Sequence, residues 1–166
     1  TDACEGGEGN DLRVVGDGDD LHRGDKGNDT LIGGAGNDTL EGGAGSDTYH
    51  FDLGWGHDVI NNHYPDDETD SIRFGEGITP EDLLLSREKG GGYFSGSFWV
   101  APFDYLLITH KDTGDTLRIN NHFVEGGWQI DLFQFADGTR WTLDNVKLIL
   151  VQAAAGEGND TLHGYV

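Results

Sequence analysis

The chain has one cysteine, no methionine and three prolines in 166 residues. A lone thiol, Cys4, excludes an intramolecular disulfide framework and any cysteine-rich zinc site, and it is expected to stay unbound. No apolar run approaches the ~18 residues a membrane span requires, and Thr1-Asp2-Ala3-Cys4 has neither the basic nor the apolar region of a signal peptide. Without a Met at its start, the sequence reads as a block of a longer parent. Positive charge is scarce too: 10 Lys and Arg against 31 Asp and Glu leave a net charge of −21. That balance argues against nucleic acid or anionic membrane as partners and for cations that neutralise clustered carboxylates. With only 35% hydrophobic residues, self-repulsion brings part of the chain near the disorder boundary, so folding is expected to depend on a ligand.

What is abundant is glycine, 28 residues, and it is periodic. From Gly6 the units GGEGNDLRV, VGDGDDLHR, GDKGNDTLI, GGAGNDTLE and GGAGSDTYH follow one another at a period of nine. Each keeps a glycine at its fourth place (Gly9, Gly18, Gly27, Gly36, Gly45) and an aspartate at its sixth (Asp11, Asp20, Asp29, Asp38, Asp47). Glycines relieve the steric cost of a tight six-residue turn, and a three-residue extended piece follows. Two-residue alternation points Leu31, Leu40 and Tyr49 inward and Thr30, Thr39 and Thr48 outward. Stacked turns place backbone carbonyls beside a row of carboxylates. Hard oxygen donors on flexible loops suit Ca²⁺, with its six to eight ligands, better than octahedral Mg²⁺. The carbonyls expected to take part are those of Gly7, Gly9, Gly16, Gly18, Gly24, Lys26, Gly27, Gly33, Gly34, Ala35, Gly36, Gly42, Gly43, Ala44 and Gly45.

This nonapeptide resembles the GGxGxDxUx repeat of the RTX (repeats-in-toxin) family. The resemblance implies an all-β fold, a right-handed parallel β-roll in which one coil consumes two units and ions lie between stacked turns. Units i and i+2 would then share ions through Asp11 with Asp29, Asp20 with Asp38, and Asp29 with Asp47, for about three to five ions in all. A degenerate sixth unit, Gly54-Trp55-Gly56-His57-Asp58-Val59-Ile60, is expected to stack on the Asp38 unit and add Asp58. A glycine-free seventh ending Asp70-Ser71-Ile72 would close the roll. Arg13 and His22 sit where inward apolar residues belong, with Leu12, Val14 and Leu21 one place off, so slipped or frayed strands are expected there.

Composition then shifts. We expect an N-terminal tail over 1–5, the roll over 6–73 (regular units 6–50, degenerate 51–73), a β-rich capping segment with one or two short helices over 74–152, and a fresh repeat over 153–166 that includes Asp160. Thr79-Pro80-Glu81-Asp82 carries an N-cap, an early proline and acids suited to a helix start. Tyr105–His110 with Thr116–Asn120, and Ile130–Phe135 with Thr139–Leu143, read as hairpins, and Asp144–Leu150 as a closing helix or strand. The strings DSIRFGEGITPEDLLLSRE, DTLRINNHF and QIDLFQFADGTRWTL resemble the haemolysin-type calcium-binding-related segment that follows β-rolls in adenylate cyclase toxins and haemolysin-like proteins, which implies a cap over the last coil.

The insertion 90–103 reads as an extra hairpin packing its aromatics. The alternative is a platform of Tyr93, Phe94, Phe98 and Trp99 for a sugar ring or a partner protein. His50, His57 and His63 lack metal-ligand spacing, Asp66-Asp67-Glu68 reads as a solvated acidic loop, and no glycine run carries a phosphate-binding signature. No catalytic constellation is found, so the chain is expected not to be an enzyme. The resemblance implies a secreted protein of a Gram-negative bacterium, exported by a type I secretion channel, with neighbouring RTX blocks as partners. A host receptor is not identified by sequence.

Overall fold

In a computed structural model, residues 2–62, 68–90, 93–95, 98–100, 103–124 and 129–154 are described. His63, Asp66, Asp67 and the repeat containing Asp160 lie outside them. Eight short strands come first: β1 (Ala3–Glu8), β2 (Leu12–Val14), β3 (Leu21–Lys26), β4 (Thr30–Ile32), β5 (Thr39–Ala44), β6 (Thr48–Phe51), β7 (His57–Ile60) and β8 (Ser71–Phe74). Odd strands pair in parallel with odd and even with even, so each coil contributes one strand to each of two facing walls. This is a parallel β-roll.

The repeat pattern explains the walls. Leu31, Leu40 and Tyr49 are fully buried between them, while Thr30, Thr39 and Thr48 keep partial solvent contact. Ile60 and Ile72 continue the same inward rows in the degenerate units. The first coils do not slip. Arg13 pairs with Leu31 and His22 with Leu40 in the regular register, leaving Leu12 68% and Val14 63% exposed and His22 fully buried. The turns enforce this: a one-residue slip would carry every side chain of the strand to the other face and every aspartate out of line with its neighbours.

Beyond the roll, a single 3-10 turn, Pro80–Asp82, replaces the expected helix; the Asp82 carboxylate accepts from the Thr79 amide at 2.8 Å and hydroxyl at 2.7 Å. There follow β9 (Leu83–Gly90), β10 (Tyr93–Ser95), β11 (Phe98–Val100), β12 (Phe103–His110), β13 (Thr116–Asn120), β14 (Leu132–Gln134), β15 (Arg140–Thr142) and the helix α1 (Leu143–Ala154). Both predicted hairpins form, as β12–β13 and β14–β15. The insertion is a two-stranded antiparallel ladder with Phe94 level with Trp99; the side chains of Tyr93, Phe94, Phe98 and Trp99 lie outside the described residues.

The cap is grafted onto the roll by hydrogen bonding. β13 pairs in parallel with β7, and β14 in parallel with β8, so both walls run on past residue 73. Sheet orders β1-β3-β5-β7-β13-β12-β9 and β15-β14-β8-β6-β4-β2 result. The edges of β7 and β8, which would otherwise invite aggregation, are thereby paired. A rim of aromatics seals the junction: Phe51, Trp55, Phe74 and Phe135 make a chain of ring contacts with centroids 5.1–6.4 Å apart.

Candidate metal centre

Two rows of turns run along the roll, and each carries a ladder of aspartates. In the first row the Asp11 amide donates to Asp29 Oδ1 at 2.7 Å, the Asp29 amide to Asp47 Oδ1 at 2.8 Å, and the Asp47 amide to Asp70 Oδ1 at 2.8 Å. The Asp70 amide then donates to Asp131 Oδ2 at 3.1 Å, which carries the ladder into the cap. In the second row Asp2, Asp20 and Asp38 donate in turn to Asp20, Asp38 and Asp58, at 2.5, 2.9 and 2.7 Å. Asp20, Asp29, Asp38, Asp47 and Asp58 are all buried. The structure thus stacks the pairs Asp11–Asp29, Asp20–Asp38, Asp29–Asp47 and Asp38–Asp58.

From Asp20 and Asp29 onward, one oxygen per carboxylate is used by this ladder. The other is the informative one: among the described residues, Oδ2 of Asp29, Asp38 and Asp58 is buried and accepts no hydrogen bond, while Oδ2 of Asp11 lies 3.6 Å from the Arg13 guanidinium. A buried carboxylate oxygen without a donor is costly, and native proteins pair such groups or coordinate metals with them. At Asp29 and Asp38, glycines hold the space in front of these oxygens. A Cβ on Gly24 would collide with Asp29 Oδ2 and the Gly42 carbonyl, one on Gly6 with the Gly24 carbonyl, and one on Gly33 with Asp38 Oδ2. Carboxylate and carbonyl oxygens of adjacent coils therefore converge on cradles that only glycine leaves open. The donor set is all oxygen, which fits Ca²⁺.

A second set of glycines lets the turns stack. A Cβ on Gly27, Gly36 or Gly45 would strike the carbonyl of Gly9, Gly18 or Gly27 in the coil before, and Gly34 and Gly43 meet the Gly16 and Asp25 carbonyls in the same way. Gly7, Gly9 and Gly16, on the first coil, face open space. The carbonyls of Lys26, Ala35 and Ala44 each accept an inter-coil amide at 2.8 Å, from Gly9, Gly18 and Gly27, and so serve the stacking directly.

Burial raises the carboxyl pKa of Asp29 and Asp38, with the neighbouring Asp11 and Asp20 charges adding to it against the ladder's amide hydrogen bonds. Asp58 is pushed up to about 7, chiefly by burial. It stands level with Leu117, the first residue above it in the row that is not an acid. Buried His22 is depressed by desolvation despite the Asp38 and Asp20 charges beside it. The raised values are those of anions stacked in low dielectric, with Arg13 as the cation beside the Asp11 end of the first row.

Comparison with known proteins agrees with this geometry. Residues 14–49, 23–60 and 153–165 match the RTX calcium-binding nonapeptide repeat, and residues 106–145 match the haemolysin-type calcium binding protein related domain. The chain carries RTX calcium-binding nonapeptide repeats. It is 38% identical over 121 residues to the iron-regulated protein FrpA of Neisseria meningitidis serogroup C, a match covering 70% of the chain but only 9% of that relative. The RTX match resumes at 153–165, so the repeats flank the cap on both sides.

Sequence reasoning missed Asn62 and the ladder role of Asp131. The signal for Asp131 was present, because Gly126-Gly127-Trp128-Gln129-Ile130-Asp131-Leu132-Phe133 keeps the glycine pair, the aspartate and the apolar place of the nonapeptide and lacks only the glycine two residues before the aspartate. Asn62 lies eight residues before Asp70, whereas the cradle glycines precede their aspartates by five, as in Gly24 and Asp29.

Proposed function

We propose that this RTX block is a calcium-triggered folding module without catalytic activity of its own. The observation that carries the reading is the pair of buried aspartate ladders, in which one oxygen joins the coils while Oδ2 of Asp29 and Asp38 faces a glycine cradle and accepts no hydrogen bond. Asp11, Asp29 and Asp47 would hold Ca²⁺ in the first row, with carbonyls such as those of Gly24 and Gly42; Asp20, Asp38 and Asp58 would do so in the second. Three to five ions satisfy these rungs.

The mechanism follows from charge. Without Ca²⁺, stacked carboxylates repel, and a glycine-rich chain of net charge −21 does not offset the entropy of ordering its turns. With Ca²⁺ the same oxygens become ligands, and binding energy becomes folding energy by mass action. Extracellular calcium modules have Kd values of about 10⁻⁴–10⁻³ M, so a roll of this type stays loose at cytosolic calcium and folds outside the cell. That behaviour suits passage through a type I secretion channel of a Gram-negative bacterium, followed by folding beside neighbouring RTX blocks of the same parent.

Limited proteolysis tests this reading. In chelator the first 60 residues should be cut within the turns, and millimolar Ca²⁺ should protect them while equal Mg²⁺ does not; protection that ignores calcium would overturn it.

A further inference from the structure

The two ends of the first row differ. Register aligns Gly6 with Gly24 and Gly24 with Gly42, because Gly7 pairs with Asp25 and Asp25 with Gly43. Leu40 pairs with Ile60, so two residues on, the place of the cradle glycine in the fourth coil belongs to Asn62. Where Gly24 leaves Asp29 Oδ2 without a donor, Asn62 fills the cradle: its Nδ2 donates to Asp70 Oδ2 at 2.6 Å and to the Gln129 carbonyl at 3.1 Å. Its Oδ1 accepts from the Tyr49 hydroxyl at 3.2 Å, and that hydroxyl accepts from the Gly42 amide at 2.9 Å. Asn62 is 1% exposed, Tyr49 fully buried, and every polar atom of the Asn62 amide is engaged.

We propose that the Asn62 side chain stands in for a calcium ion at the Asp70 rung, ending the first ion row and joining the roll to the cap without metal. This inference rests on the calcium reading of the other rungs. An amide N–H₂ supplies to a buried carboxylate the positive partner that a cation supplies elsewhere, and the carbonyl of Gln129, from the segment leading to β14, receives its second hydrogen. The last coil thereby stays attached to β14 through Asp70, Asn62 and Asp131 at any calcium concentration.

The test is an ion count by native mass spectrometry of the full chain at saturating Ca²⁺, with circular dichroism to confirm folding. Asp29→Asn should lose one ion, and Asp70→Asn should keep the wild-type count. Loss of an ion by Asp70→Asn, equal to that of Asp29→Asn, would overturn the proposal. Should Asp70→Asn fail to fold, Asn62→Gly decides: restoring the array's glycine beside Asp70 should raise the count by one, and an unchanged count would refute the stand-in role. If Asp29→Asn itself loses no ion, the ligand assignment of the regular rungs fails instead, which separates the two ideas.

Discussion

Replacing Asp29 by Asn separates a calcium ligand from a merely buried side chain. Asn retains an oxygen for the Asp11 amide, now 2.7 Å from Asp29 Oδ1, and substitutes an amide nitrogen for the Oδ2 that lacks a donor. Packing and ladder are preserved, and only the anionic donor is lost. Well above Kd, each site adds about 1.4 kcal/mol of stability per tenfold rise in free calcium, from RT ln(1 + [L]/Kd). Asp29→Asn should therefore make stability rise with calcium about 1.4 kcal/mol per decade less steeply than in the wild type, or roughly 3–6 °C per decade in Tm for a chain of this size. Leu40→Ala is the control: Leu40 is fully buried in the roll and its truncation should cost about 2–5 kcal/mol at every calcium concentration, without altering the slope. The assay is a set of thermal melts across three decades of free Ca²⁺. Parallel lines for Asp29→Asn and the wild type would refute the assignment of Asp29 as a ligand.

Two further outcomes follow from the geometry. Gly24 and Gly7 predict opposite phenotypes: Gly24→Ala fills the cradle between Asp29 and the Gly42 carbonyl and should abolish one calcium site in an isothermal titration, whereas Gly7→Ala, at φ 95° with open space around it, should cost only about 1–2 kcal/mol of backbone strain and keep every site. His122 is fully buried, its Nδ1 accepts from the Ile130 amide at 3.3 Å, and burial, then the Lys147 charge, lowers its pKa to about 4. Because the unfolded ring titrates near 6.5, the neutral ring's contribution is fully present above that pH and is lost as pH falls toward 4, about 3 kcal/mol in all. The ring's NMR titration midpoint should lie near 4; a midpoint of 6 or more would contradict this.

How much was legible in the sequence depends on how local the determinant is. The inward triad Leu31, Leu40 and Tyr49 follows from the period and strand alternation, while the stacking of Asp11, Asp20, Asp29 and Asp38 on their partners eighteen or twenty residues ahead needed the family resemblance, which makes two units one coil. Polar inward residues at Arg13 and His22 suggested a slip, yet the register is held by ladder bonds between turns rather than by the side chains of the strands. The graft of β13 and β14 onto the roll was missed, since contacts such as Asp70 with Asp131 span 61 residues and the repeat-like stretch that carries Asp131 stands alone, outside the nine-residue period. Asn62 escaped for a related reason: only three-dimensional register shows that it occupies a glycine's place.

Far-UV circular dichroism during a Ca²⁺ titration from chelator, with Mg²⁺ as control, tests the central claim most directly. The account predicts a cooperative gain of β signal near millimolar Ca²⁺ that Mg²⁺ does not reproduce. A full β spectrum in chelator, unchanged by calcium, would contradict it, because the aspartate ladders would then assemble without a counter-ion.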